Sequence, residues 1–231
     1  GDSFAPRRTV YLAFGHDEEM GGTAGAAQVA SYLKDRGIRP ECVLDEGGAV
    51  VRGVVPGISV PVALIGLSEK GYLSLELTVK AAGGHSSTPP RNTAIGILAR
   101  AITRIESNPF PANLSCARLL FDTAGRSMEM PYKAVFANMW LTAPLVEWLL
   151  GREPEVNAVI RTTAAVTLIS GGVKDNVLPD HASAVVNLRL LPGDTMEEVV
   201  RRIEQVIGDP RVTIAPVGQH NDAPTLSPVD V

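Results

Sequence analysis

Alternation of apolar and polar residues is clearest in the middle of the chain. Residues 72–80, YLSLELTVK, carry leucine or valine at every second position and polar residues between them. This period of two predicts a strand with one buried and one solvent-facing side, which is typical of antiparallel sheets. Further strands are predicted at 163–170, 182–191 and 211–216.

Two segments with helical periodicity lie between these strands. The later of the two predicted helices begins at DTMEE, where Thr195 and Glu198 match a capping box. The order β-α-β-β-α-β is that of a ferredoxin-like α+β sandwich, in which the helices cover one face of an antiparallel sheet. The first helix has its apolar residues at helical spacing: Ile95, Leu98, Ile102 and Ile105.

Residues 108–161 interrupt this order between the first helix and the second strand. The segment contains both tryptophans, Trp140 and Trp148, and several prolines. Loops of this length are rarely without structure in a compact domain. We therefore predict a partly helical insertion, and the two tryptophans suggest that it forms part of an apolar pocket.

The N-terminal part of the chain has a different pattern. Residues 9–14, TVYLAF, predict a buried strand, residues 23–36 predict a helix that stops at Gly37, and residues 41–45, ECVLD, predict a second strand. Strand, helix and strand over this distance form the βαβ unit of a parallel sheet. The fold class is therefore α/β, with a partial parallel sheet that precedes the ferredoxin-like domain.

Composition narrows the range of functions. The 231 residues are 45% hydrophobic and 20% charged, as in ordinary globular proteins. A net charge of −4 argues against nucleic acid as a partner, because there is no basic surplus to neutralise phosphates. No apolar run approaches the roughly 20 residues of a membrane-spanning helix.

Two acidic groups follow the predicted N-terminal strands. HDEE at 16–19 and LDEGG at 44–48 each place carboxylates at a strand end, followed by a glycine pair. In open α/β sheets ligands bind at this edge, and paired carboxylates can supply a metal ligand and a general base. A solvated acidic turn before a helix is the alternative for either group.

Two further candidates lie in the ferredoxin-like part. His85 follows two glycines in GGHSSTPP, and it is either a site residue or an ordinary loop histidine. Arg189 and Asn187 share the polar face of the predicted strand 182–191. An arginine on such a face can bind a carboxylate with two hydrogen bonds, although a solvated cross-strand charge is the alternative.

Five segments in this order resemble the dinuclear-zinc aminoacylase and carboxypeptidase family. They are GHDEEMGG, LDEGG, GGHSSTP, KDNVLPD and NLRLLPG. The family includes carboxypeptidase G, carboxypeptidase S, aminoacylase and hydrolases of N-fatty-acyl amino acids. The long insertion with its tryptophans is similar to that of the carboxypeptidase S and N-acyl-amino-acid hydrolase branch.

The resemblance implies roles for the acidic residues. Glu18 corresponds to the general base, Glu19 to a zinc ligand, and Asp45 to a ligand of the second zinc ion. The family also uses an upstream His-x-Asp motif, a bridging aspartate and a C-terminal histidine, which this sequence does not contain. We therefore expect a fragment that lacks parts of the catalytic domain, binds its two zinc ions weakly or not at all, and is inactive alone.

The resemblance also assigns the later motifs to a lid domain that forms the dimer. His85 corresponds to a residue that reaches the partner subunit's active site and polarises the scissile carbonyl. Asn176 and Arg189 are similar to residues that hold the substrate, with arginine on its free carboxylate. The expected dimer surface is the lid's exposed strand and first helix, within 71–107, or the insertion.

The resemblance also implies a domain organisation and an activity. Residues 1–68 are expected to belong to the catalytic domain, 69–219 to form the lid with the insertion at 108–161, and 220–231 to return to the catalytic domain. The expected activity is zinc-dependent hydrolysis of the amide bond of N-acyl amino acids or dipeptides with a free carboxylate. The alternatives are a desuccinylase-type deacylase and a non-catalytic dimerisation or carboxylate-binding module.

Overall fold

The computed structural model describes residues 5–55 and 57–227. The outer ends of the predicted segments, residues 1–4 and 228–231, lie outside the described residues, as does Pro56. The described residues form two compact units, one that ends at Glu46 and one that begins at Gly47. Helices and strands both occur, so the mixed α/β class is confirmed.

The secondary structure is mostly helical outside one large sheet. The helices in the described ranges are α1 (Ala26–Asp35), α2 (Ala94–Ser107), α3 (Ser115–Ala124), α4 (Tyr132–Ala137), α5 (Met139–Leu150), α6 (Pro154–Ile160) and α7 (Met196–Ile207). The strands there are β1 (Ala49–Val51), β2 (Val62–Leu64), β3 (Gly71–Lys80), β4 (Gly84–His85), β5 (Thr163–Gly171), β6 (Val177–Leu178), β7 (His181–Leu190) and β8 (Val212–Asn221). Within these residues, no helix combines the length and the apolar character needed to cross a membrane.

The first unit contains the predicted helix. α1 stops where the sequence indicates, because Gly37 adopts a left-handed φ of +65°. The Gly37 amide donates to the Lys34 carbonyl at 2.9 Å, and the Ile38 amide donates to the Leu33 carbonyl at 3.0 Å. These bonds satisfy carbonyls of the last turn, as in a Schellman motif. The helix prediction is confirmed.

The prediction of two strands in the first unit is wrong. Residues 9–14 and 41–45 have no strand structure, and Phe14 and Leu44 are 86% and 93% exposed. A parallel strand needs neighbouring strands for its hydrogen bonds and for burial of both faces. The described residues up to Glu46 supply no such neighbour, so the predicted βαβ unit and partial parallel sheet do not form there.

The second unit is built on one antiparallel sheet in the order β5-β7-β3-β8. Together with α2 and α7, these strands give the predicted order β-α-β-β-α-β. The ferredoxin-like arrangement is confirmed. However, the strand at 71–80 is an interior strand, and the edges of the sheet are β5 and β8. The expectation that this strand offers an exposed edge for dimerisation is therefore wrong.

One face of the sheet packs against α2 and α7. Residues of both helices and of β3 and β7 form a single core: Leu73, Leu75, Leu77, Val79, Leu98, Ala101, Ile105, Val186, Leu188, Val199 and Ile203. Ile95 departs from the predicted apolar side of α2, because it is 43% exposed whereas Ile97 is buried. At 3.6 residues per turn, Ile97 rather than Ile95 lies beside Leu98, Ala101 and Ile105.

α7 begins at the predicted capping box. The Thr195 hydroxyl accepts from the Glu198 amide at 3.3 Å, and the Glu198 carboxylate accepts from the Thr195 amide at 3.3 Å. Two amides at the start of the helix are thereby satisfied. The helix is also anchored by the residue that follows β8, because the Met196 amide donates to the Asp222 carboxylate at 3.2 Å.

The insertion is helical, as predicted. Helices α3 to α6 form a second core with two residues from the start of the unit: Val55, Ile58, Ala117, Met128, Phe136, Val146, Leu150 and Ile160. The buried Arg161 connects its parts by donating to the Phe110 carbonyl at 2.8 Å and to the Glu147 carboxylate at 3.2 Å. The insertion is therefore fastened where it begins and where it ends.

Candidate active site

The acidic motif lies on a short 3₁₀ turn, and not at a strand end. Glu18 and Glu19 begin this turn, Glu18–Met20, and both residues are exposed. Gly21 follows with φ of +89°, and its amide donates to the Glu18 carbonyl at 2.9 Å. The turn thus presents two adjacent carboxylates on the surface of the first unit.

Asp45 lies in the same unit, in an exposed segment without regular structure. Its carboxylate accepts from the Glu46 amide at 2.9 Å. Zinc in proteins takes three or four ligands. No group of three or more histidine, cysteine, aspartate or glutamate residues in the described ranges could hold a metal ion. Glu19 and Asp45 therefore do not by themselves fit a zinc site.

His85 ends the short strand β4 in the second unit. Its Nδ1 lies 2.8 Å from the Ser87 hydroxyl and accepts from the Ser87 amide at 3.2 Å. A backbone amide can only donate, so this network assigns Nδ1 as the acceptor and puts the proton of a neutral ring on Nε2. Nε2 is then the nitrogen that can donate to a substrate carbonyl.

Asn176 lies next to the His85 strand. β4 pairs with β6, with His85 opposite Val177, and the Ser86 amide donates to the Asn176 carbonyl at 3.1 Å. An open depression of about 560 Å³ adjoins β6, lined by residues near the start of α2 and by residues 171–175 and 177–179, and His85 and Asn176 are not part of this lining. The structure therefore places two of the predicted site residues next to each other.

Arg189 lies near the end of β7 on the sheet face opposite the helices. Its guanidinium carbon is 4.6 Å from the centre of the Tyr72 ring on β3. Burial lowers the pKa of the nearby Lys70 amine, the Arg189 charge lowers it further, and Asp194 opposes both effects. Two cations thus share this corner of the sheet, which suits a negatively charged group. The alternation pattern did not single out Lys70.

Arg189 lies at the opposite end of β7 from the β4–β6 strand pair, which carries His85. The Ala81 amide donates to the Asp180 carbonyl at 2.9 Å, which places the β4–β6 pair beside the start of β7. Arg189 follows His181 by eight residues, or about 26 Å at 3.3 Å per strand residue. Within one chain, the structure therefore brings His85 and Asn176 together and places Arg189 away from them.

Comparison with known families assigns this unit. The peptidase dimerisation domain, M20_dimer, matches residues 67–213. The chain belongs to the M20 peptidase dimerisation domain family. The matched segment of this M20 domain contains His85, Asn176 and Arg189, whereas Glu18, Glu19 and Asp45 precede it.

Relatives of the M20 domain extend the match over most of the chain. Probable carboxypeptidase S-like 2 of Dictyostelium discoideum is 43% identical over 216 residues, which are 93% of this chain and 42% of that protein. N-fatty-acyl-amino acid synthase/hydrolase PM20D1 of Xenopus tropicalis is 41% identical over 228 residues, which are 98% of this chain and 44% of that protein. The chain thus spans less than half the length of these two relatives.

Solved structures are more distant. Aminopeptidase PepT of Bacillus cereus ATCC 10987 is 14% identical and covers 71% of this chain and 33% of that chain, with a TM-score of 0.39. A TM-score this low adds nothing to the assignment of the M20 domain.

Proposed function

We propose that the protein hydrolyses the amide bond of an N-acyl amino acid or a dipeptide with a free carboxylate. The observation that carries the proposal is the pairing of the His85 strand with the Asn176 segment within an M20 dimerisation domain. The names of two relatives, a carboxypeptidase S-like protein and an N-fatty-acyl-amino acid synthase/hydrolase, support this reaction class.

Each proposed site residue has a defined chemical role. The Glu18 carboxylate accepts a proton from the attacking water and passes it to the leaving amine. His85 donates from Nε2 to the scissile carbonyl oxygen of a substrate in the partner subunit's active site and stabilises the charge that develops there. Asn176 and Arg189 hold the substrate from different subunits of the proposed homodimer, because they lie apart within one chain, and the guanidinium of Arg189 binds the free carboxylate.

We further propose how the chain contributes to the whole protein. Residues 1–68 belong to its catalytic domain, residues 69–219 form the lid, and residues 220–231 return to the catalytic domain. Glu19 and Asp45 are two of the ligands of a two-zinc cofactor, and further ligands complete that site.

Replacement of Arg189 tests the substrate class. In the complete gene product, Arg189→Ala is expected to raise KM about tenfold to a hundredfold for an N-acyl amino acid, because a hydrogen-bonded charge contributes roughly 1.5–3 kcal/mol. The measurement is steady-state kinetics on an N-acyl amino acid and on its carboxamide, which lacks the negative charge.

Arg189→Lys is the matched control for charge. It keeps the cation and loses the second hydrogen bond to the carboxylate, so an intermediate KM is expected. Equal KM values for the wild type and Arg189→Ala would show that Arg189 does not bind the substrate carboxylate. Absence of hydrolysis in the wild type, with retained carboxylate binding, would instead favour a non-catalytic binding module.

A homodimer through the β5 edge and α2 is the second prediction. Ile169 on β5 is 67% exposed, and it pairs with Ala184 on the sheet face that carries the helices. Ile95 of α2 is also exposed and lies at the end of the same strand, near Gly171. An apolar edge strand is a template for pairing with a second copy. Ile169→Lys is therefore expected to give a monomer by light scattering.

Two variants control this experiment. Thr213→Lys places the same charge on the opposite sheet edge, β8, and is expected to leave the dimer intact. Leu141→Lys places it on the exposed face of α5, in the insertion. Loss of the dimer in Leu141→Lys alone would move the interface to the insertion. A monomeric wild type at high concentration would refute the homodimer.

The third prediction concerns the acyl group of the substrate. Trp140 and Trp148 lie two turns apart on one side of α5, and they are 80% and 59% exposed. Such a stripe suits contact with a long acyl chain. Replacing both with alanine is expected to lower kcat/KM for long-acyl relative to short-acyl substrates by about tenfold or more.

Replacement of both tryptophans by phenylalanine is the control for this prediction. Phenylalanine retains most of the aromatic surface, so the long-acyl preference is expected to survive. An unchanged preference in the double alanine variant would exclude these residues from the acyl site.

A further inference from the structure

Asp17 directs its side chain back toward the chain that follows it. One carboxylate oxygen, Oδ2, accepts from the Ala24 amide at 2.6 Å. The Asp17 carbonyl accepts from the Met20 amide at 3.0 Å and from the Gly22 amide at 2.9 Å. Backbone and side chain of one residue thus hold both ends of the turn that carries the two glutamates.

Gly25 is the residue that makes room for this carboxylate. A Cβ atom at Gly25 would lie 2.3 Å from Asp17 Oδ1, a separation that real atoms do not adopt. The Gly25 φ of −107° is not left-handed, and the short separation from Asp17 Oδ1 is the observed reason for a glycine here. Gly25 is also the N-cap of α1, and its carbonyl accepts from Gln28 at 3.0 Å.

The contact therefore joins two elements. Ala24 and Gly25 lead directly into α1, and the helix dipole favours a carboxylate near this end. Asp17 Oδ1 is enclosed and has no hydrogen-bond partner in the described part of the chain. An enclosed carboxylate oxygen without a partner is costly. The hydrogen bond of Oδ2 and the enclosure of Oδ1 together fix the position of this side chain.

We propose that Asp17 is the positioning residue of the acidic motif. Its hydrogen bond with the Ala24 amide ties the turn that carries Glu18 and Glu19 to the start of α1. Gly25 is glycine so that this tie can form. The consequence for catalysis rests on the proposed function, in which Glu18 is the base. The tie itself stands on the contacts of Asp17 alone. The three consecutive acidic residues then have three different roles.

The hydrogen bond between the Ala24 amide and Asp17 can be measured without an activity assay. Hydrogen–deuterium exchange at the Ala24 amide is expected to become about tenfold to a hundredfold faster in Asp17→Ala, because a hydrogen bond to a charged acceptor is lost. Asp17→Asn keeps an acceptor oxygen and is expected to restore most of the protection. Asp35→Ala, at the other end of α1, is the matched control and is expected to leave the rate unchanged.

A double-mutant cycle connects Asp17 with Gly25. Gly25→Ala alone is expected to accelerate exchange at Ala24, because the new methyl group displaces the carboxylate. Added to Asp17→Ala, it is expected to cause little further change, since the clashing oxygen is already gone. Fully additive effects, or unchanged exchange in Asp17→Ala, would overturn the proposed tie.

Kinetics of the complete gene product test the consequence for Glu18. Asp17→Ala is expected to lower kcat about tenfold to a hundredfold while KM stays within about twofold, because a misplaced base slows chemistry more than binding. Asp17→Asn is expected to recover most of kcat. Lost Ala24 protection with unchanged kcat would overturn the positioning role, whereas an inactive wild type with intact Ala24 protection would refute the proposed function and leave the tie standing.

Discussion

Glu18→Gln is expected to lower kcat by about a hundredfold to ten-thousandfold, the range that general-base catalysis contributes. Glutamine has nearly the same shape as glutamate, but its amide cannot accept a proton from water at neutral pH. Because the change removes a proton acceptor and no substrate contact, KM is expected to stay within about twofold. The measurement is steady-state hydrolysis of an N-acyl amino acid by the complete gene product.

Glu204→Gln is the matched control for this substitution. Glu204 is exposed on α7 in the second unit, so the same chemical change there is expected to leave kcat unaffected. A Glu18→Gln variant with wild-type kcat would show that another group is the base. A variant with a raised KM and normal kcat would make Glu18 a substrate-binding residue instead.

The ferredoxin-like unit could be predicted because its pattern is local and its partners are present. Leu73 to Val79 alternate along β3, and each has a cross-strand neighbour on β7, such as Leu75 opposite Val186. The capping box at Thr195 formed where the sequence placed it. Sequence pattern and three-dimensional packing agree at these positions, so local reasoning was sufficient.

The order of strands across the sheet could not be predicted from the alternation pattern. The strand at 71–80 looked available for dimerisation, yet it became an interior strand because β8 returns to pair with its second edge. That pairing joins residues more than 130 positions apart, for example Val79 and Val212. Alternation reports which side of a strand is buried, but it carries no information on which edge is occupied.

The two N-terminal segments that were predicted as strands show another limit of prediction from sequence. Residues 9–14 and 41–45 are apolar enough to be buried strands, but burial requires other segments on both sides. Leu12 and Val43 are 78% and 84% exposed because the described residues of the first unit provide no such cover. An apolar run indicates a need for burial, and only the presence of a partner decides whether the need is met.

The candidate site was predictable in its residue types and not in its geometry. The motifs singled out His85 and Asn176, but their pairing across β4 and β6 appears only in three dimensions. The separation of Arg189 from them follows from the length of β7. The contact between Asp17 and Gly25 was missed, although a glycine eight residues after the aspartate was visible in the sequence.

Leu75→Ala is expected to reduce the free energy of unfolding by about 2–5 kcal/mol, as large-to-small changes in cores do. Leu75 is 0% exposed and lies in the middle of β3, opposite Val186 on one side and Pro216 on the other. Neighbours on both strands and on the helices limit collapse around the lost atoms, so a cavity remains. Urea unfolding followed by circular dichroism measures the change.

Leu141→Ala is the control that separates burial from side-chain chemistry. The same atoms are removed, but Leu141 is 66% exposed on α5, so the expected change is within about 0.5 kcal/mol. Alanine is also a good helix former, which further limits the cost. Similar losses at both positions would mean that the β3 core does not dominate stability. A large loss at Leu75 alone places the stabilising core of the chain in the sheet that carries Arg189.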